Sequence, residues 1–196
     1  TISADVMSYL LDENKIYTIG ETFANFSSKY NFQSSNVTLL TDKKELFSNK
    51  KTTITDKSNL YKLEKFRYFV EKEELKGEKI LINTDYNLPT SDKIYFLNAI
   101  INLKKQSFFG SDVKIKIRKD IFEDTNNDPR ILGVSASSNI NKTKINKAVF
   151  TSCQQNEKCV PWSIKAKEII HDKENKEIVY NNALLKIYDF PVLYFP

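Results

Sequence analysis

The segment "DVKIKIRK" sets Val113, Ile115 and Ile117 against Lys114, Lys116 and Arg118, one apolar and one charged residue in turn. A repeat of two residues matches the β-strand, in which successive side chains point to opposite faces, and no helix can keep such a pattern on one side. The same alternation appears in "YKLEKFRYFVEK", where Phe66, Tyr68 and Val70 alternate with Lys65, Arg67 and Phe69, and in "KIYFLNAIINLKK", where Tyr95, Leu97, Ala99, Ile101 and Leu103 fall on one face. The stretch "KLEKFRYFVEKEELKGEK" is the best helix candidate, but its aromatic content favours strand. Ten Tyr and 13 Phe in 196 residues point the same way. The reading is an all-β chain, one domain over residues 1–196, large enough to bury a core without staples.

The strands recur in about five units of unequal length, most of them closing on an aspartate: Asp12 to Asp42, Asp56 to Asp85, Asp92 to Asp120, Asn141 to Asp172, and a final segment to Pro196. One such unit cannot bury its apolar face alone, so the units must pack on one another as a jelly roll or a flattened solenoid. The connection over residues 119–140 is the least regular. Pro129 excludes a central strand at that point, and the segment reads as an exposed loop with one short strand.

Enzyme signatures are sparse. His171, the one histidine, falls in a turn beside Asp172, so a histidine-based metal site or a Ser-His-Asp arrangement has no second member. Four glycines cannot build a phosphate-cradling loop. No catalytic residue, metal or cofactor is expected. The net charge of +5 is spread through Lys-, Asn- and Ile-rich sequence. Aromatics share faces with Ile, Leu and Val, which suits a buried lining better than the exposed stacking platform of a nucleic-acid binder. Cys153 and Cys159 are too few ligands for a structural zinc site and do not form a C-x-x-C pair. They are disulfide candidates if their flanking strands form a hairpin in an oxidising compartment, and two reduced thiols otherwise.

The C-terminal third is more specific. Phe150–Thr151–Ser152–Cys153, Pro161–Trp162–Ser163–Ile164–Lys165–Ala166, Ile169–Ile170–His171–Asp172, then Ile178, Tyr180, Ala183 and Leu185, and finally Pro191–Val192–Leu193–Tyr194–Phe195–Pro196, follow one another in an order that resembles the end of the periplasmic domain of the LptD (OstA/Imp) family. Over residues 4–120 only the diffuse strand repeat is similar.

The resemblance implies an OstA-type β-jelly roll, open, with two facing antiparallel sheets, in the periplasm as part of an outer-membrane protein of a Gram-negative bacterium. A membrane β-barrel is expected to follow Pro196. The implied function is lipopolysaccharide transport: the domain receives lipopolysaccharide from an LptA-like bridge protein joined by edge-strand addition. It carries the acyl chains in an apolar groove towards the LptD barrel and its LptE lipoprotein, with no chemistry done on the lipid. A free-standing LptA-like bridge, or another β-module for an amphipathic ligand, is the alternative. From the alternation, the expected groove residues are Tyr95, Leu97, Ala99, Ile101, Leu103, Val113, Ile115, Ile117, Ile164, Ala166, Ala183, Leu185 and Ile187, each of which could equally be core packing. Enteric members also carry an N-terminal cysteine that this chain lacks, so partners for Cys153 and Cys159 stay open.

Overall fold

A computed structural model describes residues 1–26, 28–89, 91–118, 127–154, 161–172, 174–175 and 177–196. Among the described residues strands make up 70% and helix 2%, so the all-β expectation holds. Among the described residues there are sixteen strands and one helical element, a single turn of 3-10 helix, Leu11–Glu13. The sixteen strands are β1 (Ile2–Leu10), β2 (Lys15–Phe26), β3 (Tyr30–Ser35), β4 (Thr38–Leu40), β5 (Glu45–Ser48), β6 (Thr52–Thr55), β7 (Leu60–Leu63), β8 (Lys65–Phe69), β9 (Glu74–Asn83), β10 (Lys93–Asn102), β11 (Ser107–Lys116), β12 (Arg130–Ser138), β13 (Lys142–Thr151), β14 (Trp162–Asp172), β15 (Glu177–Ile187) and β16 (Phe190–Phe195). All pairings are antiparallel.

Eight of these strands close into a barrel in the order β9-β7-β6-β3-β2-β4-β5-β8, with β8 returning to β9. Closure depends on two long strands that fork. Along one edge β2 carries β1; along the other it pairs β4 through Lys15–Tyr17 and β3 through Glu21–Phe26. β9 carries β10 on one edge, and on the other pairs β8 through Glu74–Glu78 and β7 through Leu81–Asn83. Each fork opens at a left-handed residue, Gly20 (φ 83°) in β2 and Lys79 (φ 48°) in β9. At Gly20 the strand cannot take a side chain, because a Cβ would lie 2.1 Å from the Asp5 carboxylate that accepts the Glu21 N–H at 2.9 Å.

The ring is filled. Phe26, Phe32, Phe66 and Tyr68 stack with ring centroids 5.1–5.9 Å apart. Leu46, Ile54, Leu63, Leu75 and Ile80, each at most 3% exposed, complete the core. Each large side chain buried this far contributes about 1.5–3 kcal/mol. Beside the aromatics lies a layer of small hydroxyls. Thr18 and Thr22 meet at 2.6 Å and Ser34 and Thr52 at 2.7 Å, all buried and all hydrogen-bonded.

From β9 the chain continues as a meander, β10 to β16, each strand beside the next. The seven strands β9 to β15 all bend at one line. Each holds two consecutive outward residues between two inward ones: Gly77/Ile80, Phe96/Ala99, Gly110/Val113, Gly133/Ala136, Ile145/Ala148, Ala166/Ile169 and Tyr180/Ala183. Strict alternation would put those two inner residues on opposite faces. The ladders skip Lys79–Leu97, Leu97–Asp112, Asp112–Val134, Val134–Lys147, Lys147–Lys167 and Lys167–Asn182, while the register on either side is unchanged. Lys79, Asp112, Lys147 and Asn182, on every second strand, have φ of 47–51°. A non-glycine residue there costs about 1–2 kcal/mol. The crease is therefore a repeated, built feature. Each inward pair includes at least one Gly or Ala, and this lets the sheet fold sharply over its inner face.

Two expectations change. Residues 119–126 lie outside the described residues, but Arg130–Ser138 within the supposed loop is a full nine-residue strand, and Pro129 sits buried just before it, where it breaks no ladder. The architecture is a closed barrel joined to a creased sheet through β9, where two facing antiparallel sheets were expected.

Candidate functional site

The inner face of the creased sheet is apolar from β9 to β16. Its two arms meet at the crease. On β10 to β13 the inner residues are sealed: Phe96, Ala99, Val113, Ala136, Ile145 and Ala148 are all at most 6% exposed. Towards β16 the same face opens. Ile178, Ile187, Leu193 and Phe195 are 44–50% exposed and Phe190 is 77% exposed. Two rows carry this change across the strands. One runs Gly77, Ala99, Gly110, Ala136, Ile145, Ile169, Tyr180. On the other side of the crease, Ala148, Ala166, Ala183 and Phe195 are in register. The mouth is floored by Phe150 and Trp162 in edge contact at 5.7 Å.

The thirteen sequence-derived groove residues divide. Ala99, Ile101, Leu103, Val113, Ile115, Ala166 and Ala183 are buried on the inner face. Ile117 and Ile164 pack half-buried against the same cluster. Leu185 is half-buried and Ile187 is exposed at the open end. Tyr95 and Leu97 are on the outer face, with Leu97 48% exposed, because the crease in β10 puts both Leu97 and Asn98 outward and sends Phe96 in. Alternation alone misses Phe96, Phe108, Ile131, Ile145, Ile169 and Tyr180, all of which belong to the core or pack on it. The usable signal is the spacing of three between a large apolar residue and a Gly or Ala, repeated from strand to strand.

Behind the mouth, Arg130 is 8% exposed and donates to the Cys153 carbonyl and, at 3.1 Å, to the Asp128 carbonyl. The Cys153 thiol donates to the Trp162 carbonyl at 3.6 Å, and Thr151 Oγ1 donates to the same carbonyl at 2.7 Å. The segment that leaves β13 is thereby tied to the start of β14. Cys159 lies outside the described residues, and with it the proposed Cys153–Cys159 pairing.

On this face burial pushes the Tyr180 phenol up. At the β14–β15 turn the Asp172 carboxylate accepts two backbone N–H groups, from Glu174 and Asn175, and pairs with Lys142 at 3.0 Å. The Asn175 backbone bond first, then Lys142, hold its pKa down from 3.8 to about 2. In the ring, burial pushes the Tyr68 phenol up, with Glu73 adding to the effect. A cleft of about 460 Å³ lies on the outer side of β8 to β11, lined by Phe47, Lys65, Arg67, Lys76, Ile100 and Phe109 among others. Its cations are compensated, by Glu78 at 3.1 Å, Glu45 at 2.8 Å and Glu74 at 3.7 Å respectively. Among the described residues no cluster of three or more His, Cys, Asp or Glu is placed to hold a metal ion.

The free edges complete the site. Among the described residues β1 and β16 each carry a ladder along one edge only. β1 exposes Val6, Met7 and Tyr9 at 46–50%. No family model and no curated protein matches the chain.

Proposed function

We propose that this chain is a periplasmic lipid-carrying β-module of the LptD kind, which takes lipopolysaccharide acyl chains between the arms of the creased sheet and passes them towards β16. The observation that carries this reading is the inner face itself: an apolar surface continuous across seven strands, sealed from β10 to β14 and open at the ends of β15 and along β16. A face that only had to close a core would have no reason to leave Ile178, Ile187, Leu193 and Phe195 in water at its end. The stretch that resembles the LptD family, residues 148–196, covers most of this opening. The single-sided edges of β1 and β16 suit joining to neighbouring β-modules by strand addition, with an LptA-like bridge at one and a barrel at the other. The module moves lipid without altering it. A free-standing bridge of the LptA kind uses the same surfaces, and the coding sequence beyond Pro196 separates the two.

Site-specific photo-crosslinking in cells tests the reading. A crosslinker at Ile178 or Leu185, on the inner face, captures lipopolysaccharide; one at Leu97 or Lys167, on the outer face, does not. Equal labelling at all four positions would remove the groove.

A further inference from the structure

The outer faces of the two arms carry similar residues but handle their charge differently. On the arm that ends at the β14–β15 turn, Lys76, Lys142 and Lys144 pair with Glu74, Asp172 and Glu168. On the arm that ends beside Phe150 and Trp162, one row crosses β11 to β16 in direct register: Lys114, Leu132, Val149, Lys165, Leu184 and Tyr194. Paired residues share a face, and the buried Val113, Ile131, Ala148, Ala166 and Ala183 take the inner one, so this row looks outward. Lys147 and Lys167 stand beside it on the outside of the crease, with Leu97 and Val134. Among the described residues none of these four lysines forms an ion pair. The half-strands of this arm hold a single carboxylate, Asp112, and Glu168, next to Lys167, is held by Lys144 and Asn181. Among the lysines the apolar side chains are open to water: Leu97 is 48% exposed, Leu132 46%, Val134 55% and Tyr194 56%.

The two halves of this pattern disfavour different partners. Lysine is depleted at protein–protein interfaces, where arginine and aromatic rings are preferred. Exposed leucine and valine gain nothing from a phosphate backbone, and the row offers no stacked aromatic platform for bases. An anionic phospholipid surface uses both halves. The ammonium groups lie among the headgroups, and leucine, valine and tyrosine enter the boundary beneath them. Six strands spaced by about 4.8 Å make a face about 24 Å wide.

We propose that the outer face of this arm docks on an anionic phospholipid surface, with Lys114, Lys147, Lys165 and Lys167 at the headgroups and Leu97, Leu132 and Val134 in the interface. The proposal goes beyond the lipid-carrying reading and does not rest on it. The face lies on the opposite side of the sheet from the groove, and its ligand is a bilayer surface, not a carried chain.

The test is flotation of the intact chain with vesicles of phosphatidylglycerol in phosphatidylcholine, and with vesicles of phosphatidylcholine alone. Binding to the first, weakened by salt, and not to the second is expected. Lys165→Gln together with Lys167→Gln weakens it by about fivefold per lysine. Lys76→Gln with Lys144→Gln lowers the net charge equally on the other arm and leaves binding within about twofold. Leu132→Ser with Val134→Ser weakens binding several-fold, while Leu193→Ser, on the inner face, does not. Circular dichroism confirms that each variant is folded. Equal loss from both lysine pairs would reduce the effect to net charge, and loss on Leu193→Ser would move it to the groove. Either result, equal binding to both vesicles, or binding to neither would overturn the proposal. With vesicles unbound, a dimer that Leu132→Ser dissolves would assign the face to a second copy, and capture of a single-stranded oligonucleotide through Lys165 and Lys167 would assign it to nucleic acid. None of these outcomes bears on crosslinking of lipopolysaccharide at Ile178 and Leu185, so the two readings fail separately.

Discussion

The closed ring and the creased sheet share β9, the same strand chemistry and the same need to bury one face, yet one ends as a filled barrel and the other as an open fold. The difference lies in what happens at the left-handed residues. In β2 and β9 the edge facing the ring changes partner at Gly20 and Lys79, so a different strand leaves on each side of the bend and the walls curl round to meet. In β11, β13 and β15 the same neighbour continues past the bend at Asp112, Lys147 and Asn182, so the whole sheet folds as one piece and never closes. The cores follow suit: interlocked aromatics in the ring, glycine and alanine at the crease.

The comparison is broken most directly by core truncation. Phe66→Ala, in the ring, is expected to lose about 3–5 kcal/mol in denaturant unfolding, whereas Leu193→Ala, on exposed β16, should lose less than about 1 kcal/mol. Similar losses would mean that the open end is as well packed as the ring. Next in size is Gly110→Ala. With Phe96 Cδ1 2.4 Å from the new methyl, overpacking is expected to cost about 1–3 kcal/mol. A neutral result would show that Phe96 already moves aside freely. Tyr68→Phe runs the other way. The Tyr68 hydroxyl is buried with no hydrogen-bond partner, so its removal should stabilise the ring by about 1 kcal/mol, read as a higher denaturation midpoint at constant slope. Lys147→Gly relieves a left-handed lysine and should be neutral or stabilising by up to about 1 kcal/mol, while Lys144→Gly, in the strand interior beside it, should destabilise.

The smallest effect is a pH dependence. The folded pKa of Asp172 is depressed from 3.8 to about 2, so its contribution is fully present above about pH 4 and is lost as pH falls towards 2. An Asp172→Asn variant should show a shallower fall in stability across that window. An unchanged slope would place the acid sensitivity elsewhere.

Much of the strand content was legible because the periodicity is local. Val113, Ile115 and Ile117 face inward as their alternation requires, and the buried Phe66 and Tyr68 face away from Lys65 and Arg67. The crease was not legible, because it is a lapse in alternation of one residue per strand. In β10 that lapse moves Tyr95 and Leu97 to the outside while leaving Ala99, Ile101 and Leu103 inside, so a single run of apolar residues serves two faces. The barrel was hidden for another reason. It joins β2 to β4, β3 to β6, and β5 to β8 through three or four register pairs each, between residues 18–25 positions apart, and no local pattern records such partners. The site was half visible: the apolar lining could be seen residue by residue, but not the glycines that let it fold on itself.

The position of β9 also sets an order of assembly. From β10 to β15 the neighbours in space are neighbours in sequence, so that part can zip one hairpin at a time from any starting point. The ring has to wait for its non-adjacent pairs, β2–β4, β3–β6, β5–β8 and β7–β9, to find one another, a slower search for the same chain. β9 is the edge both halves need, and whichever claims it first templates the other. A slow phase in refolding should therefore belong to the barrel, with the creased sheet already formed and its inner face exposed while the ring is still closing.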